Sequence, residues 1–413
     1  MAFLQVKSTN PKFSFILKKN PLNPLVRHLK QGHLIGYYSN DNSVFNCYFK
    51  DADYENSYKF SKYADSSFEY LNVYRYNACE FVLDTITEFL SHIVKKQDAE
   101  DVEGYDNEVF LNLVYVKQKY LEIFSKYYSG YEIEYEKIAE GNFRVRFKTK
   151  KTLKQLIAFV QLFAIFNVLK NRFLNDGEID KYIGIMDSAV TPYFIKYVFK
   201  VNVLNNEGLF NRYKAKLSEN CVEDVDFTYG YLYQNRFDFV RNALDFKRDI
   251  VDFGCGEGNY IYKFRDKIDE IRYYAVDKDE DLREKVARRF GNKENLAILE
   301  VFPEISQPVD VIMSEVVEHM PLEEAEFTVK NIIANPLVNS TILTTPNKDF
   351  NQFYFFEDDE ARHDDHHFEF TYNEFREWLE KVTENKYDFT IYGIGDKVNG
   401  CNPSLGATIR RKS

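Results

Sequence analysis

The segment VDFGCGEGNY, residues 251–260, constrains the fold more than any other part of the chain. It places Gly254, Gly256 and Gly258 after the strand-like run DIVDF and before a helical segment that leads to a second strand, YYAVD. Glycine lets the backbone turn tightly and lets a ligand approach the main chain. The alternation of strand, loop, helix and strand predicts a Rossmann-like α/β domain, doubly wound around a mostly parallel sheet.

Acidic residues on either side of the loop indicate which ligand it holds. Asp277 closes the second strand, 23 residues beyond Gly254, where its carboxylate can accept hydrogen bonds from both hydroxyls of a ribose. The G-x-G-x-G spacing differs from that of dinucleotide sites, so S-adenosylmethionine fits better than NAD. We expect Asp252 either to orient the amino group of the methionine part of S-adenosylmethionine or to cap the turn that follows it. Ser314, after the predicted fourth strand VDVIM, is assigned to the same donor site.

The segment SEVVEHM, residues 314–320, carries a second candidate site. Glu315, Glu318 and His319 stand at i, i+3 and i+4, so a helix would project all three from one face. Two carboxylates and an imidazole suit Mg²⁺ or Mn²⁺, and the absence of thiolates argues against zinc. Because the segment follows the fourth strand, it opens at the carboxyl edge of the sheet beside the donor loop.

A histidine-rich loop, RHDDHHFEF, follows TTPN at the predicted end of the fifth strand. His363, His366 and His367 are candidates for a fourth ligand, and the alternative is a solvated acidic loop. A cation bound to a vicinal diol lowers the pKa of a hydroxyl and orients it for attack on a sulfonium methyl group. The 2′ and 3′ hydroxyls of an RNA end provide such a diol, as does a catechol-like small molecule. Arg236 is a candidate for binding the terminal phosphate of such an RNA. The alternative is an ion pair with an acidic side chain.

Length and composition predict two domains in 413 residues of which 45% are hydrophobic. We place an α+β domain at residues 1–205, a polar linker at 206–227 and the α/β domain at 228–413. Five scattered cysteines without a C-x-x-C motif favour a reducing cytoplasm. The longest apolar run, residues 156–169, is too short to span a bilayer, so we expect a buried helix and no membrane association.

The first domain shows strand patterns in HLIGYYS and FNCYFKD and helical patterns around 76–95, 108–127 and 152–173. Residues 131–150 predict a hairpin whose acidic strand pairs with its basic strand. Alternatively, the basic run RVRFKTKK, residues 144–151, which overlaps the second strand of this hairpin, contacts a polyanion. The net charge is −11, yet the first 40 residues hold six Lys or Arg and no acid, so a polyanion would also contact this end.

Several motifs together resemble one family, the HEN-type RNA 3′-terminal ribose 2′-O-methyltransferases of the bacterial RNA-repair branch. They are LYQNRFDFV, DFGCGEGN, EVVEH, TTPNKDFN and DHHFEFT, in the family's order and spacing. The resemblance implies a class I methyltransferase domain with Glu315, Glu318, His319 and His366 as metal ligands, and excludes His363 and His367. Phe370 stands where the family tends to have tryptophan.

The N-terminal half also resembles the additional domain of that bacterial branch. The segments that carry this likeness are STNPKFSFILKKNP, GYYS, FKDADYENSY and FLNDGEIDK. The resemblance implies a partner, a polynucleotide kinase-phosphatase with ligase activity, and a methyl mark placed on a cleaved RNA end before sealing. A scaffold that only binds this partner is the non-enzymatic alternative.

Overall fold

The computed structural model describes residues 3–29, 32–51, 77–168, 174–354 and 362–412. Most of FKDADYENSY, the first residue of FLNDGEIDK, the end of the helix predicted at 152–173 and residues 355–361 lie outside these ranges. The chain forms two compact units, one of Met1–Asn205 with Ala215–Val222 and one of Asn206–Lys214 with Glu223–Ser413. The segment predicted as a linker contains a helix, Glu207–Ser218.

The N-terminal unit is built on an antiparallel sheet. Its strands are β1 Phe3–Ser8, β2 Leu25–Leu29, β3 Gly32–Ser39, β4 Val44–Asp51, β5 Asn107–Tyr115, β6 Glu132–Ala139 and β7 Asn142–Thr149, in the order β2-β3-β4-β1-β5-β7-β6. The predicted hairpin is β6–β7, where Arg144 pairs with Glu136 and Lys148 with Glu134. The acidic and basic strands therefore neutralise each other, as the sequence indicates.

The helices described in this unit are α1 Phe13–Leu17, α2 Cys79–Thr85, α3 Ser91–Lys95, α4 Gln118–Tyr127, α5 Leu153–Val168, α6 Asp176–Ser188 and α7 Tyr193–Val203, and a π-helical segment, Ile86–Leu90, connects α2 to α3. The helix predicted at 108–127 is wrong in its first half, which is β5. The run EVFLNLVY alternates between buried and less buried positions, and this period of two fits a sheet. Helix α5 is buried on all sides, as predicted. No described helix is long and apolar enough to cross a membrane.

The C-terminal unit contains the predicted doubly wound sheet. Its strands are β8 Val225–Asp226, β9 Asp249–Phe253, β10 Tyr273–Val276, β11 Leu296–Leu299, β12 Val309–Ser314, β13 Val338–Pro346, β14 Tyr387–Ile394, β15 Lys397–Val398 and β16 Ser404–Arg411. The large sheet runs β11-β10-β9-β12-β13-β16-β14, and of these strands β16 is the reversed one, since it pairs antiparallel with both β13 and β14 while the other pairs are parallel. The strand order reverses between β9 and β12, which is where such sheets bind ligands.

Helices cover both faces of this sheet. They are α9 Leu232–Ala243, α10 Asn259–Lys263, α11 Arg265–Ile268, α12 Glu280–Phe290, α13 Leu322–Ala334 and α14 Tyr372–Thr383; helix α8, Glu207–Ser218, precedes them in the chain. Ile250 of β9 packs with α9 to α12, while its neighbour Val251 packs with α13 and α14. This alternation buries the central strands on both faces and leaves their carboxyl ends to form a site.

A buried lysine contacts the end of α8, which belongs to the N-terminal unit. The Lys196 side chain is 0% exposed, and its ammonium donates to the carbonyl oxygens of Leu217, at 2.9 Å, and Glu219. Its Nζ also lies 3.3 Å from a carboxylate oxygen of Asp187. A cation at the carboxyl end of a helix satisfies carbonyls that lack helical partners.

Replacing Lys196 tests how much these buried contacts contribute to stability. We expect Lys196→Met to lower the free energy of unfolding by about 3 kcal/mol, because it leaves a carboxylate and two carbonyls without their buried donor. The exposed pair Lys216–Asp180 provides the control, and Lys216→Met is expected to change stability by less than about 1 kcal/mol. Urea unfolding monitored by circular dichroism measures both, and equal losses in the two variants would contradict the assignment.

Candidate active site

The three predicted glycines form a tight loop after β9. Gly254, Gly256 and Gly258 have φ angles of 76°, 52° and 77°, a region that disfavours side chains. A Cβ on Gly254 would lie 2.6 Å from the side chain of Val316, and one on Gly258 would lie 2.9 Å from Phe290. A Cβ on Gly256 would meet nothing within 4 Å. The loop is therefore closed by packing at its ends and open at its centre.

Asp277 contacts the open centre of this loop. Its carboxylate accepts hydrogen bonds from the backbone N–H groups of Gly256, at 2.8 Å, and Asp279, at 3.0 Å. The acid at the end of β10 thus lies beside the glycine loop, as the sequence predicts. Its contact with a ribose stays a prediction.

Asp252 has a partner that neither sequence interpretation named. The residue is 1% exposed, and its carboxylate accepts a hydrogen bond from the Tyr273 hydroxyl at 2.8 Å. Burial raises the pKa of Asp252 to about 7, although the bond from Tyr273 opposes the shift. The carboxyl group is therefore held between β9 and β10, where it carries a proton in much of the acidic range.

Ser314 lies in a chain of hydroxyl groups that runs from α10, which follows the glycine loop, to Glu315. The Tyr260 hydroxyl, on α10, donates to Ser314 Oγ at 2.9 Å, and Ser314 Oγ lies 2.8 Å from Thr344 Oγ1. Thr344 in turn donates to the Glu315 carboxylate at 3.1 Å. Ser314 is thus placed between the two predicted sites, and its role toward the donor stays a prediction.

The segment around EVVEH is not the helix that the i, i+3, i+4 spacing suggests. Only Val317–His319 form a short 3₁₀ turn, and Glu315 precedes it with a left-handed φ of 56°. The Glu315 carboxylate forms an ion pair with Arg236 of α9. The idea that one helical face presents all three side chains is therefore wrong, because the left-handed residue turns the chain between Glu315 and Glu318. Of the two interpretations of Arg236, the structure shows the ion pair.

The structure does bring Glu318, His319 and His366 together. One possible ligand atom from each lies within 4.8 Å of the other two. The backbone N–H of His367 donates to the carbonyl oxygen of Glu318 at 2.8 Å, which joins the histidine loop to the turn. His363 is exposed and contacts Asp365, and neither it nor His367 belongs to this group.

Glu318 is unusual because its buried carboxylate is only half satisfied. The residue is 0% exposed; one oxygen accepts from Thr345 at 3.2 Å, and the other has no hydrogen-bond partner in the described part of the chain. Burial, followed by the nearby Glu315 charge, holds the pKa of Glu318 well above its usual range. An orphaned buried acceptor is destabilising, and a cation between Glu318 and the two imidazoles would satisfy it.

The two histidines of the group are oriented by carboxylates. The Nδ1 atom of His366 lies 2.7 Å from Glu369, and that of His319 lies 3.0 Å from Asp365. The ring centroids of His319 and His366 are 4.8 Å apart. Burial lowers the pKa of His319, which favours the neutral ring that a metal needs. The residues present therefore fit a divalent cation.

The sequence interpretation missed several residues that support the site. Glu369 lies three residues after His366 in DHHFEF, and an acid so close to a candidate ligand was a usable signal. Asn351 and Arg362 contact Glu369 across gaps of 18 and 7 residues, and Tyr273 reaches Asp252 from the next strand. These contacts depend on the folded topology and leave no local pattern.

The Asp252 carboxyl group predicts a pH dependence of stability. Its folded pKa of about 7 exceeds the unfolded value of about 4, so the folded state binds an extra proton between them and loses stability as pH rises. We expect the melting temperature of the wild type to fall more from about pH 5 to about pH 8 than that of Asp252→Asn. Calorimetry measures this, with Asp266→Asn, an exposed aspartate, as control. Parallel curves for the wild type and Asp252→Asn would contradict the assignment.

Comparisons with known proteins agree with this architecture. Residues 3–221 match the family model of the Hen1 N-terminal domain, which covers more than half of the chain. A chain in the structure of the Pnkp1/Rnl/Hen1 RNA repair complex superposes with a TM-score of 0.82 at 23% identity, over 99% of this chain and 100% of that one. At this identity the match establishes the fold.

Curated relatives match parts of the chain. A small RNA 2′-O-methyltransferase of Caenorhabditis elegans is 32% identical over 179 residues, which are 36% of this chain and 40% of that protein. One of Tetrahymena thermophila is 33% identical over 91 residues, or 21% of each. The chain thus spans less than half the length of these relatives. The match of the N-terminal domain confirms the resemblance inferred from the motifs, and the chain belongs to the Hen1 family.

Proposed function

We propose that the protein transfers a methyl group from S-adenosylmethionine to the 2′ oxygen of the 3′-terminal ribose of RNA, with a bound Mn²⁺ or Mg²⁺. The observation that carries this proposal is the half-satisfied, buried carboxylate of Glu318 beside His319 and His366. The names of the curated relatives support the RNA substrate and the 2′ oxygen.

The donor would lie along the glycine loop. Gly256 leaves open space above the backbone, and Asp277, which follows the neighbouring strand and lies beside Gly256, would accept hydrogen bonds from the ribose hydroxyls of the donor. Ser314 and Tyr260 border the same edge and connect it to the second site through hydroxyl contacts. Asp252 lies just ahead of the loop with one oxygen bonded to Tyr273, and its contact with the methionine amino group of the donor would use the other oxygen.

Glu318, His319 and His366 would hold the cation, and Glu315 is the fourth ligand that the family resemblance implies. When bound there, a divalent cation lowers the pKa of a ribose hydroxyl and holds a vicinal diol. Glu315 is not part of the group of three in the described structure; one of its oxygens pairs with Arg236 and the other accepts from Thr344. Water would take the proton of the 2′ hydroxyl; a ligand histidine could do so only after leaving the cation, because a ring with one nitrogen on the cation and a proton on the other has no lone pair left.

We also propose that the protein acts in RNA repair with a partner that carries kinase, phosphatase and ligase activities. Two findings support this: the match to the Hen1 N-terminal domain and the fold shared with a chain of an RNA repair complex. In that role the methyl group would be added to a cleaved RNA end before it is sealed. The N-terminal unit would bind the partner.

A small-molecule diol is the second candidate substrate. The hydroxyl-binding geometry alone suits a catechol as well as a ribose. The two candidates differ in charge. RNA is a polyanion, so its binding releases counterions and weakens as salt rises. A neutral diol would react at a rate that salt changes little.

The proposed ligands predict a specific loss of function. We expect Glu318→Gln and His366→Ala to reduce methyl transfer at least about 100-fold and to leave donor affinity unchanged, because neither contacts the glycine loop. Glu318→Gln should not lower the melting temperature, since it removes an unsatisfied buried carboxylate. Initial rates with labelled donor and calorimetric titration of the donor measure these quantities. Glu323→Gln, an exposed change nearby, is the control; loss of donor affinity in both variants would indicate a folding role instead.

The terminal diol predicts which RNA ends react. With labelled donor and Mn²⁺, we expect methylation of an RNA that ends in a 2′,3′-diol and none of the same RNA ending in 2′-deoxy or 3′-phosphate, since both lack a free pair of hydroxyls. The rate should fall as salt is raised. Equal labelling of all three ends would exclude the terminal-diol mechanism, and salt-independent labelling of catechol would favour the small-molecule candidate.

A further inference from the structure

We propose that Glu369 is a positioning residue that fixes the ring orientation and the tautomer of His366, so that Nε2 is the atom offered to the cation. This inference rests on the proposed function in treating His366 as a ligand. The hydrogen bonds that support this inference are made by Glu369, Arg362 and Asn351, none of which is a predicted ligand. They can be tested in the metal-free protein.

The direction of each hydrogen bond around Glu369 follows from groups that can only donate. The Arg362 guanidinium has no acceptor, so its Nε must donate to Asn351 Oδ1, at 2.6 Å. This bond fixes the amide of Asn351, whose Nδ2 then donates to Glu369 Oε2 at 2.6 Å. The backbone N–H of Arg362 donates to Glu369 Oε1 at 2.8 Å. Both carboxylate oxygens therefore act as acceptors.

The same oxygen, Oε1, lies 2.7 Å from Nδ1 of His366. Because Glu369 already accepts at both oxygens, the proton of this third contact belongs to Nδ1. A neutral imidazole with its proton on Nδ1 has its lone pair on Nε2. In the described part of the chain, Nε2 of His366 makes no hydrogen bond with another residue.

Arg362 connects this arrangement to the edge of the sheet. Its two terminal nitrogens donate to the carbonyl oxygens of Pro403 and Asn347, each at 2.6 Å, and its guanidinium lies 5.0 Å from the ring centre of Tyr354. Asn347 directly follows β13, and Pro403 directly precedes β16. The orientation of His366 is therefore set by two strands as well as by its own loop.

Burial distinguishes Glu369 from the other acid near the ligands. The side chains of Glu369 and His366 are 3% and 6% exposed, whereas Asp365, which contacts His319, is 64% exposed. Water competes for an exposed carboxylate and permits other side-chain conformations, whereas a buried carboxylate with three donors has a single arrangement. Of the two, Glu369 is the one that can define a tautomer.

The first test reads the tautomer directly. In the full-length, metal-free protein with ¹⁵N-labelled histidine, NMR should show His366 protonated at Nδ1, with its signals assigned through His366→Gln. Glu369→Gln replaces one acceptor by a donor, so we expect a clear rise in the fraction protonated at Nε2. Glu377→Gln, the same change at an exposed site on α14, should leave the His366 signals as in the wild type.

The second test measures Mn²⁺ affinity by the EPR signal of the free ion. We expect Glu369→Gln to raise the dissociation constant about 10- to 100-fold, with no change for Glu377→Gln. Glu369→Asp keeps the charge that Arg362 faces but withdraws the carboxylate from His366, and should give an intermediate loss. This variant decides the question if Glu369→Gln fails to fold.

The outcomes separate this inference from the proposed function. His366 protonated at Nε2 in the wild type would overturn the positioning role, as would unchanged tautomer and Mn²⁺ affinity in both Glu369 variants. Failure of the wild type to bind Mn²⁺ or to methylate RNA would count against the proposed function, while the NMR result would still decide the role of Glu369.

Discussion

The parallel pairing of β9 with β12 is the constraint from which the candidate site follows. Ile312 lies opposite Asp252 in this pair, so the glycine loop after β9 and the turn after β12 leave the sheet side by side. Gly254 allows that closeness, because a Cβ there would lie 2.6 Å from Val316 in the turn. The loop thus needs glycine partly to make room for the protein's own chain, in addition to any ligand.

The same pairing explains which parts of the site the sequence could predict. The glycine loop, the doubly wound sheet and the presence of two acids and a histidine after the fourth strand all have short local patterns. The left-handed conformation of Glu315 does not, because the i, i+3, i+4 spacing describes a helix equally well. The ion pair between Glu315 and Arg236 joins residues 79 positions apart, so no spacing rule could assign it.

In the N-terminal unit, local pattern succeeds and fails for equally physical reasons. The β6–β7 hairpin was predictable because opposite charges face each other across adjacent strands. The sequence of strand β5 resembles part of a helix because the amphipathic helix α4 follows it after two residues, and the two apolar runs merge when only composition is considered. The change of period from two to about 3.6 separates them.

Two buried carboxyl groups at the same edge of the sheet have opposite consequences. Asp252 accepts from a neutral donor, Tyr273, and neither of its oxygens is buried without a partner in the described chain. Glu318 has one weakly bonded oxygen and one without a partner in the described chain, close to a second carboxylate and two imidazoles. Desolvation raises the pKa of both carboxyl groups, so what distinguishes them is the set of side chains around each one. Of these two groups, Glu318 is the one with a buried oxygen that lacks a partner in the described chain, and this difference supports the proposal that a cation binds on the β12 side of the switch point.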